Sequence, residues 1–295
     1  MTTFLLLTIT GAGLAGLYFL VASGLSLIYG LMDVLNFAHA AFLTIGAYAS
    51  WLVASKLSGS LPVLLVFLLG LVAGLVVGTL AAVLMETALV RRLYGDHVAQ
   101  VLLTVGLLLA VTALTRAVFG SDPEHIVVPA WMNDVTHVAG AAVPNSRFVV
   151  IGCALAVYVV LMYFLRATRY GLVIRAGVEN RDMVSALGVN VGRAFTLVFA
   201  IGGALASLAG ILTGTFFGTI TPEQGTSLLI FAFIVVIIGG LGSIKGSALA
   251  ALAVGLLQQY ANYYATGGMG DLIVVAMLAG VLLVRPQGLL GRVTA

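Results

Sequence analysis

Long apolar runs separated by short polar breaks make up most of this chain. Nine such runs fall at about residues 4–28, 36–55, 62–85, 98–119, 148–166, 194–216, 227–239, 246–264 and 271–284. A helix needs about 20 residues to cross a bilayer, and lipid offers the backbone no hydrogen-bond partners. The pattern therefore predicts an all-α polytopic membrane protein with about 8–10 transmembrane helices. The runs 227–239 and 271–284 are short, so one of them is a candidate half-helix or re-entrant segment.

The composition favours the same class. Of the 295 residues, 62% are hydrophobic and 8% are charged, and the mean hydropathy is +1.20. Soluble domains carry about 25% charged residues, so this chain lacks the polar surface of a soluble globule. We interpret residues 1–295 as a single transmembrane domain. The sequence has no basic patch with interleaved aromatic residues, so no nucleic-acid partner is expected.

The basic residues predict an orientation. Ten of the thirteen Lys and Arg residues fall into four groups: Arg91 and Arg92, the loop at about 167–193 with its flanks, Lys245, and the tail from Arg285. Placing these groups in the cytoplasm satisfies the positive-inside rule. The loop at about 120–147 is then external, and the C-terminus is cytoplasmic. No Lys or Arg precedes Lys56, so we interpret residues 4–28 as a retained span and not a cleavable signal.

A polar cluster interrupts the apolar pattern between the first two runs. It consists of Asp33, Asn36 and His39. Polar side chains at membrane depth tend to face a bundle interior or a substrate path. Asn36 and His39 are three positions apart and can share one helix face. They are candidates for a translocation path, or they hold a helix start, because Asn is a good N-cap.

Several common motifs carry no chemistry in this sequence. Residues 11–16 match the dinucleotide pattern G-x-G-x-x-G, but the polar helices and further strands of that fold are missing. Neither lysine follows a glycine, so there is no P-loop, and any ATP must be hydrolysed by another chain. Cys153 and the four histidines lack metal-ligand spacing. Small-residue stripes at Gly70–Gly78 and Gly202–Gly210 predict close helix packing.

The loop at about 167–193 is long and charged. Its middle, Val178 to Leu187, has a helical composition, and Gly188 fits a helix C-terminus. A short amphipathic helix beneath the bundle is a candidate docking element for a partner. A solvated linker that satisfies the positive-inside rule is the alternative.

Four segments of the sequence carry a family resemblance. They are SGLSLIYGLMDVLNFAHAAFLTIGAY, VIRAGVENRDMVSALGVNVGRAFTLVFAIGGALASLAGIL, IIGGLGSIKGSALAALAVGLLQ and VLLVRPQGLLG. In this order they resemble the permeases of branched-chain amino acid ABC transporters, and the length suits the smaller of the two sister permeases. One departure is at Ala40 and Ala41, where relatives often carry glycine and a carboxylate. The resemblance then implies a more apolar pocket in this chain.

The resemblance implies a function and a set of partners. The chain would be the permease subunit of an ATP-driven, binding-protein-dependent ABC importer for branched-chain or related amino acids, in a bacterial cytoplasmic (inner) membrane. Its partners would be a sister permease in a heterodimer, two cytoplasmic ATPase subunits that use ATP and Mg, and an external substrate-binding protein. The chain itself would bind no cofactor and would not be an enzyme.

The resemblance also implies site residues. The positions matching the ATPase-coupling stretch are Glu179, Asn180, Arg181, Asp182, Met183, Leu187 and Gly188. Those matching the translocation-path segment are Asn36, Phe37 and His39. The alternative function is an ion-coupled secondary transporter or channel for a small polar solute. Such proteins place ionisable residues at membrane depth, and those are scarce in these apolar runs.

Overall fold

The fold is almost entirely α-helical. The computed structural model describes residues 1–33, 35–179, 183–184, 191–265 and 268–291. In chain order its helices are α1 (Thr2–Met32), α2 (His39–Leu57), α3 (Val63–Ala88), α4 (His97–Phe119), α5 (Ala130–Asn133), α6 (Asn145–Ala167), α7 (Arg169–Glu179), α8 (Val191–Phe217), α9 (Gln224–Gly239), α10 (Ile244–Tyr264) and α11 (Met269–Val284). Each of the nine apolar runs forms one of these helices. The predicted all-α polytopic class is confirmed.

Fewer helices qualify as spans than the about 8–10 expected from the sequence. Within the described residues, α1, α2, α3, α4, α6 and α8 are long and apolar enough to cross a membrane. The helices α9 and α10 meet at a bend of 119° and together count as a seventh, broken span or re-entrant loop. The helix α11 is apolar but has only 16 residues. Two of the apolar runs are thus counted together, and another is shorter than a span requires.

Glycine makes the sharp bend between α9 and α10 possible. Gly240 and Gly242 have φ values of 98° and 77°, a region that costs glycine little. The Ser243 hydroxyl then caps α10 by accepting from the Gly246 N–H at 3.1 Å. Beyond α11 the chain returns to this bend, where the Leu289 N–H donates to the Ile238 carbonyl oxygen at 2.7 Å. The bend is therefore held by backbone hydrogen bonds as well as by its glycines.

Glycine also lets α2, α3 and α8 pack closely at the centre of the bundle. An added Cβ atom on Gly74 of α3 would strike the Gly46 carbonyl oxygen of α2. An added Cβ atom on Gly210 of α8 would strike the Leu43 carbonyl oxygen. Both predicted small-residue stripes therefore serve helix packing, as expected where lipid provides no hydrophobic drive between helices.

Strands occupy the loop at 120–147, and the end of the bundle that carries them is named the outer end. The strands β2 (Val135–Val138) and β3 (Ala141–Pro144) form an antiparallel hairpin. The strand β1 (Glu124–His125) pairs with β4 (Thr219–Ile220), which follows α8. This pairing fixes the loop over the connection between α8 and α9. The helix α7 lies at the opposite, inner end.

Two helices begin inside the bundle and not at one of its ends. His39, the first residue of α2, packs against Gly24 of α1, and Gly24 in turn lies against Gly202 of α8. Gly24 lies eight residues before the end of α1, and Gly202 lies eleven after the start of α8. At a rise of 1.5 Å per residue, His39 is about 12–17 Å from the inner ends of these helices. Gly225, in the first turn of α9, packs against the Ala40 carbonyl group, so α9 begins at a similar depth.

Candidate functional site

The deep turn, Asn36–His39, joins α1 to α2 within the bundle. His39 is 0% exposed, and an added Cβ atom on Gly24 would lie 2.8 Å from its Cε1 atom. Glycine at position 24 thus makes room for the imidazole ring. The ring interacts with the Val21 carbonyl group of α1. Neither ring nitrogen, however, reaches hydrogen-bond geometry with a described residue.

Asn36 is buried in the same turn. Neither the nitrogen nor the oxygen of its side-chain amide has a hydrogen-bond partner among the described residues. Its backbone carbonyl oxygen accepts from the His39 N–H at 3.3 Å, but the residue at the N-cap is Ala38, and no side chain caps α2. The interpretation of the Asn36 side chain as an N-cap is therefore wrong. An unpartnered buried polar group costs about 1–3 kcal/mol, so this turn is not optimised for stability alone.

Phe37 connects the deep turn to α9. Its ring packs against the ring of Phe233, with 4.9 Å between centroids. The three residues predicted to line a translocation path are thus brought together at one depth. Two of them present unpartnered polar groups there, and the third contacts the helix that begins at the same depth.

A polar cavity, named the outer chamber, lies among α1, α8, α9, α10 and α11 towards the outer end. Its volume is about 460 Å³, within the range of about 300–1,000 Å³ that small-molecule sites occupy. Its amide, phenol and carboxyl side chains are Tyr18, Gln224, Gln258, Gln259, Asn262 and Asp271. The residues of the deep turn do not line it. They lie beneath it, across the contact between Gly225 and Ala40.

Hydrogen bonds order one wall of the outer chamber. The Tyr18 hydroxyl donates to Oε1 of Gln258 at 2.6 Å, and Nε2 of Gln258 donates to Oδ1 of Asp271 at 2.7 Å. This chain of bonds joins α1, α10 and α11. Gln224, another lining residue, is 8% exposed, and its Oε1 atom has no hydrogen-bond partner among the described residues.

A second cavity, of about 320 Å³, opens at the inner end between α1, α7 and the turn that precedes α10. Its lining includes Ser26, Arg175 and Lys245. The Ser26 hydroxyl is buried and has no partner among the described residues. The inner cavity is therefore lined by cationic side chains, whereas the described residues that line the outer chamber include no Lys, Arg or His.

A buried carboxylate holds the inner ends of α3 and α8 together. Glu86 is 0% exposed. Its Oε1 atom accepts from the Tyr94 hydroxyl at 2.5 Å and from Nε of Arg91 at 3.2 Å. Its Oε2 atom accepts from the Thr196 hydroxyl of α8 at 2.8 Å. We call these four residues the Glu86 network.

The loop predicted to contact an ATPase begins with a helix that was not predicted from the sequence. This helix, α7, is Arg169–Glu179, upstream of the predicted 178–187; most of the predicted stretch lies outside the described residues, and residues 183 and 184 within it are helical. Its bundle face includes Ile174 and Gly177, and an added Cβ atom on Gly177 would lie 2.7 Å from Leu31. The three-residue spacing of Gly171, Ile174 and Gly177 is the signal that sequence reasoning missed.

Most of the proposed coupling residues lie outside the described residues. These are Asn180, Arg181, Asp182, Leu187 and Gly188. Glu179 is the last residue of α7, and Met183 is 63% exposed. The role of the stretch in contacting an ATPase therefore stays a prediction.

Sequence reasoning placed Gln258, Gln259 and Asn262 near the outer face, as an interfacial belt or a vestibule wall, but it missed the other chamber residues and the Glu86 network. Glu86 and Asp271 are two of only ten acidic residues, and both lie at the ends of apolar runs. That scarcity was the available signal. Their partners, Thr196 and Gln258 among them, come from distant parts of the chain and carry no local pattern.

Comparison with known proteins defines the class to which this helical bundle belongs. Residues 7–283 match the model of the family described as branched-chain amino acid transport system / permease component. The match spans nearly the whole chain, and the chain belongs to this family.

Individual relatives cover the same length. The chain is 29% identical over 290 residues to the high-affinity branched-chain amino acid transport system permease protein LivH of Escherichia coli strain K12, covering 96% of this chain and 94% of the relative. It is 27% identical over 292 residues to the permease protein BraD of Pseudomonas aeruginosa, with the same coverage. The ribose import permease protein RbsC of Haemophilus influenzae is 28% identical over 239 residues, which cover 77% of this chain and 71% of the relative. No solved structure gives a significant match.

Proposed function

We propose that this protein is the permease subunit of an ATP-driven, binding-protein-dependent ABC importer whose cargo is a branched-chain or related amino acid. The observation that carries the proposal is the family match over residues 7–283, together with a helical bundle that contains six or seven spanning helices among its described residues. Relatives named for branched-chain amino acid transport align over 96% of the chain. The protein moves its cargo and changes no bond in it.

The partners follow from that role. A sister permease completes the membrane unit, two cytoplasmic ATPase subunits hydrolyse ATP with Mg, and an external substrate-binding protein delivers the cargo. The C-terminus is cytoplasmic, and the membrane is the bacterial inner membrane. The inner cavity supports this orientation, because Arg175 and Lys245 line it at the end that carries α7.

The coupling stretch from Glu179 to Gly188 transmits ATPase movements to the bundle, and Asn36, Phe37 and His39 lie along the translocation path. Two observations support these roles. The helix α7 packs through Gly177 on Leu31, the last turn of α1. The deep turn presents unpartnered polar groups between the inner cavity and the outer chamber.

Ion coupling receives less support from the structure. A coupling ion needs an accessible carboxylate at membrane depth, whereas Asp271 lies in the first turn of α11 and lines the outer chamber. Glu86 is the fully buried carboxylate among the described residues, and its oxygens are occupied by Arg91, Tyr94 and Thr196. A neutralised carboxylate of this kind is suited to holding helices together.

The first experiment is purification of the tagged protein from its native membrane in mild detergent, with identification of its partners by mass spectrometry. The expected result is two ATPase chains and a second permease. The complex is then reconstituted in proteoliposomes with the binding protein, and ATP-dependent uptake of radiolabelled leucine, isoleucine and valine is measured. A partner-free protein that takes up solute along an ion gradient would overturn the proposal.

A charge-reversal pair tests the coupling stretch. Glu179→Arg combined with Asp182→Arg is expected to reduce co-purification of the ATPase and uptake in parallel, while the permease still folds. The matched control is Asp122→Arg combined with Asp134→Arg, which changes the charge equally at the outer end. Full assembly and uptake in the first double variant would remove the stretch from the coupling role.

A further inference from the structure

The outer chamber lies where cargo would arrive. The strand pair β1–β4 places Thr219 at the outer end, and Thr219 lines the chamber. Gln224 lines the chamber beside α8, where its Nε2 atom lies 3.5 Å from the Gly210 carbonyl oxygen. Gly210 is seven residues before the end of α8, so this part of the chamber lies about 10 Å below that end. The chamber is thus a depression that descends towards the deep turn.

The polar groups of the chamber favour a cation. The described residues lining it include one carboxylate, Asp271, and no Lys, Arg or His. Gln258 donates to Oδ1 of Asp271, whereas Oδ2 has no hydrogen bond to a described residue. The Oε1 atom of Gln224 is a second acceptor without a described partner, on a side chain that is 8% exposed. An ammonium group carries three donors, which are enough in number for both acceptors.

The remaining wall of the chamber is apolar. It contains Leu14, Phe216, Leu228 and Phe231. The ring of Phe231 stacks on Tyr18, with 5.1 Å between centroids, so the aromatic wall is ordered next to the hydrogen-bonded chain that ends at Asp271. An aliphatic side chain would lie against this wall, while the ammonium group that accompanies it faces the acceptors.

We propose that the outer chamber binds an α-amino acid with an aliphatic side chain, with Asp271 and Gln224 receiving its ammonium group and the Phe216–Leu228–Phe231 wall receiving its side chain. This inference rests on the proposed function for the choice of an amino acid as cargo. It adds the residues that recognise the cargo within the membrane subunit. Tyr18 and Gln258 act as positioning residues. They influence ligand binding only by orienting the Asp271 carboxylate.

The test measures binding to the purified permease–ATPase complex without the binding protein, so that the affinity of that protein does not enter. Isothermal titration uses three probes: leucine, isopentylamine, which lacks the carboxylate, and 4-methylpentanoate, which lacks the ammonium group. The expected result is competing binding of leucine and isopentylamine, with no competition from 4-methylpentanoate.

Substitutions then locate the site. Asp271→Asn is expected to weaken isopentylamine binding by about tenfold or more, because a charge-assisted hydrogen bond is lost. Gln224→Met removes the buried acceptor at similar volume and is expected to weaken binding by about fivefold. Tyr18→Phe frees Gln258 and is expected to produce a smaller loss that is absent in the Asp271→Asn background. Asp122→Asn removes the same charge outside the chamber and is expected to change nothing.

Unchanged isopentylamine binding in Asp271→Asn, or equal competition by 4-methylpentanoate, would overturn the inference. ATP-dependent leucine uptake by the wild-type complex with its binding protein is measured separately. If uptake is normal but isopentylamine binding does not depend on Asp271, the assignment of the binding site to the outer chamber is refuted, and the proposed importer function still holds. If binding depends on Asp271 but the complex does not take up amino acids, the proposed cargo of the importer is refuted. The ammonium-binding site in the outer chamber still holds in that case.

Discussion

Tyr94→Phe removes a single oxygen atom from the Glu86 network. The Tyr94 hydroxyl donates to Oε1 of the fully buried Glu86 carboxylate at 2.5 Å. Burial, and after it the adjacent Glu86 carboxylate, raises the pKa of Tyr94, so its hydroxyl stays protonated and remains a donor at neutral pH. The ring of Tyr94 packs edge-on against Phe195, with 4.9 Å between centroids, and phenylalanine keeps that contact.

The expected loss of unfolding free energy in Tyr94→Phe follows from the charge of the acceptor, the Glu86 carboxylate. A hydrogen bond to an ionised group contributes about 1.5–3 kcal/mol, and a neutral one about 0.5–1.5 kcal/mol. Tyr94→Phe is therefore expected to lower the free energy of unfolding by about 1.5–3 kcal/mol. In a Glu86→Gln background the same change should cost about 0.5–1.5 kcal/mol, because the acceptor is then neutral. The difference between the two costs is the coupling energy of the pair.

The assay is equilibrium unfolding in mixed detergent and SDS micelles, followed by circular dichroism, for the four proteins of the cycle. Tyr163→Phe on α6 is the matched control, since Tyr163 is 71% exposed and its loss should cost less than about 0.5 kcal/mol. The reasoning would be refuted if Tyr94→Phe cost no more than the control, or if its cost were the same with and without the Glu86 charge.

Two further predictions test other parts of the fold. Gly210→Ala is expected to lower the unfolding free energy by about 1–3 kcal/mol, because the methyl group meets the Leu43 backbone; Gly106→Ala, which meets nothing within 4 Å, should be neutral or stabilising in the same unfolding assay. The Arg116 guanidinium lowers the pKa of Glu223, so this ion pair stabilises the fold above the ordinary carboxyl pKa and is lost on acidification. Both side chains are half-exposed, so Glu223→Gln should cost less than about 1 kcal/mol at neutral pH, and its unfolding temperature should converge with that of the wild type below about pH 4.

The helices were predictable from the sequence because each needs only a local property. An apolar run in lipid must satisfy its backbone internally, and all nine runs became helices. The number of spans was not predictable from run length alone. It depends on the 119° bend at Gly240 and Gly242, which sends α10 in a different direction from α9. Hydropathy shows which residues are apolar, but it does not show the angle between one helix and the next.

The candidate site was only partly predictable, because it is assembled from distant segments. Asn36 and His39 stood out as polar residues between apolar runs, and the structure buries both. Room for the imidazole ring of His39 depends on Gly24, a role that no pattern in the sequence marks. The Oε1 atom of Gln224 is notable only because no described residue donates a hydrogen bond to it, a property that no local pattern encodes.

Seven described residues carry a buried polar side-chain atom without a described hydrogen-bond partner, and four of them follow one another from the outer end to the inner end. Gln224 lines the outer chamber, Asn36 and His39 lie beneath the chamber, and Ser26 lines the inner cavity. Each such group costs about 1–3 kcal/mol, so a bundle selected only for stability would replace them with apolar side chains. The contact between Gly225 and Ala40 separates the chamber from the deep turn, and it joins the first turns of two helices that both begin inside the bundle. Under the proposed importer function, cargo or water that reaches these groups would supply the hydrogen-bond partners that the described residues do not.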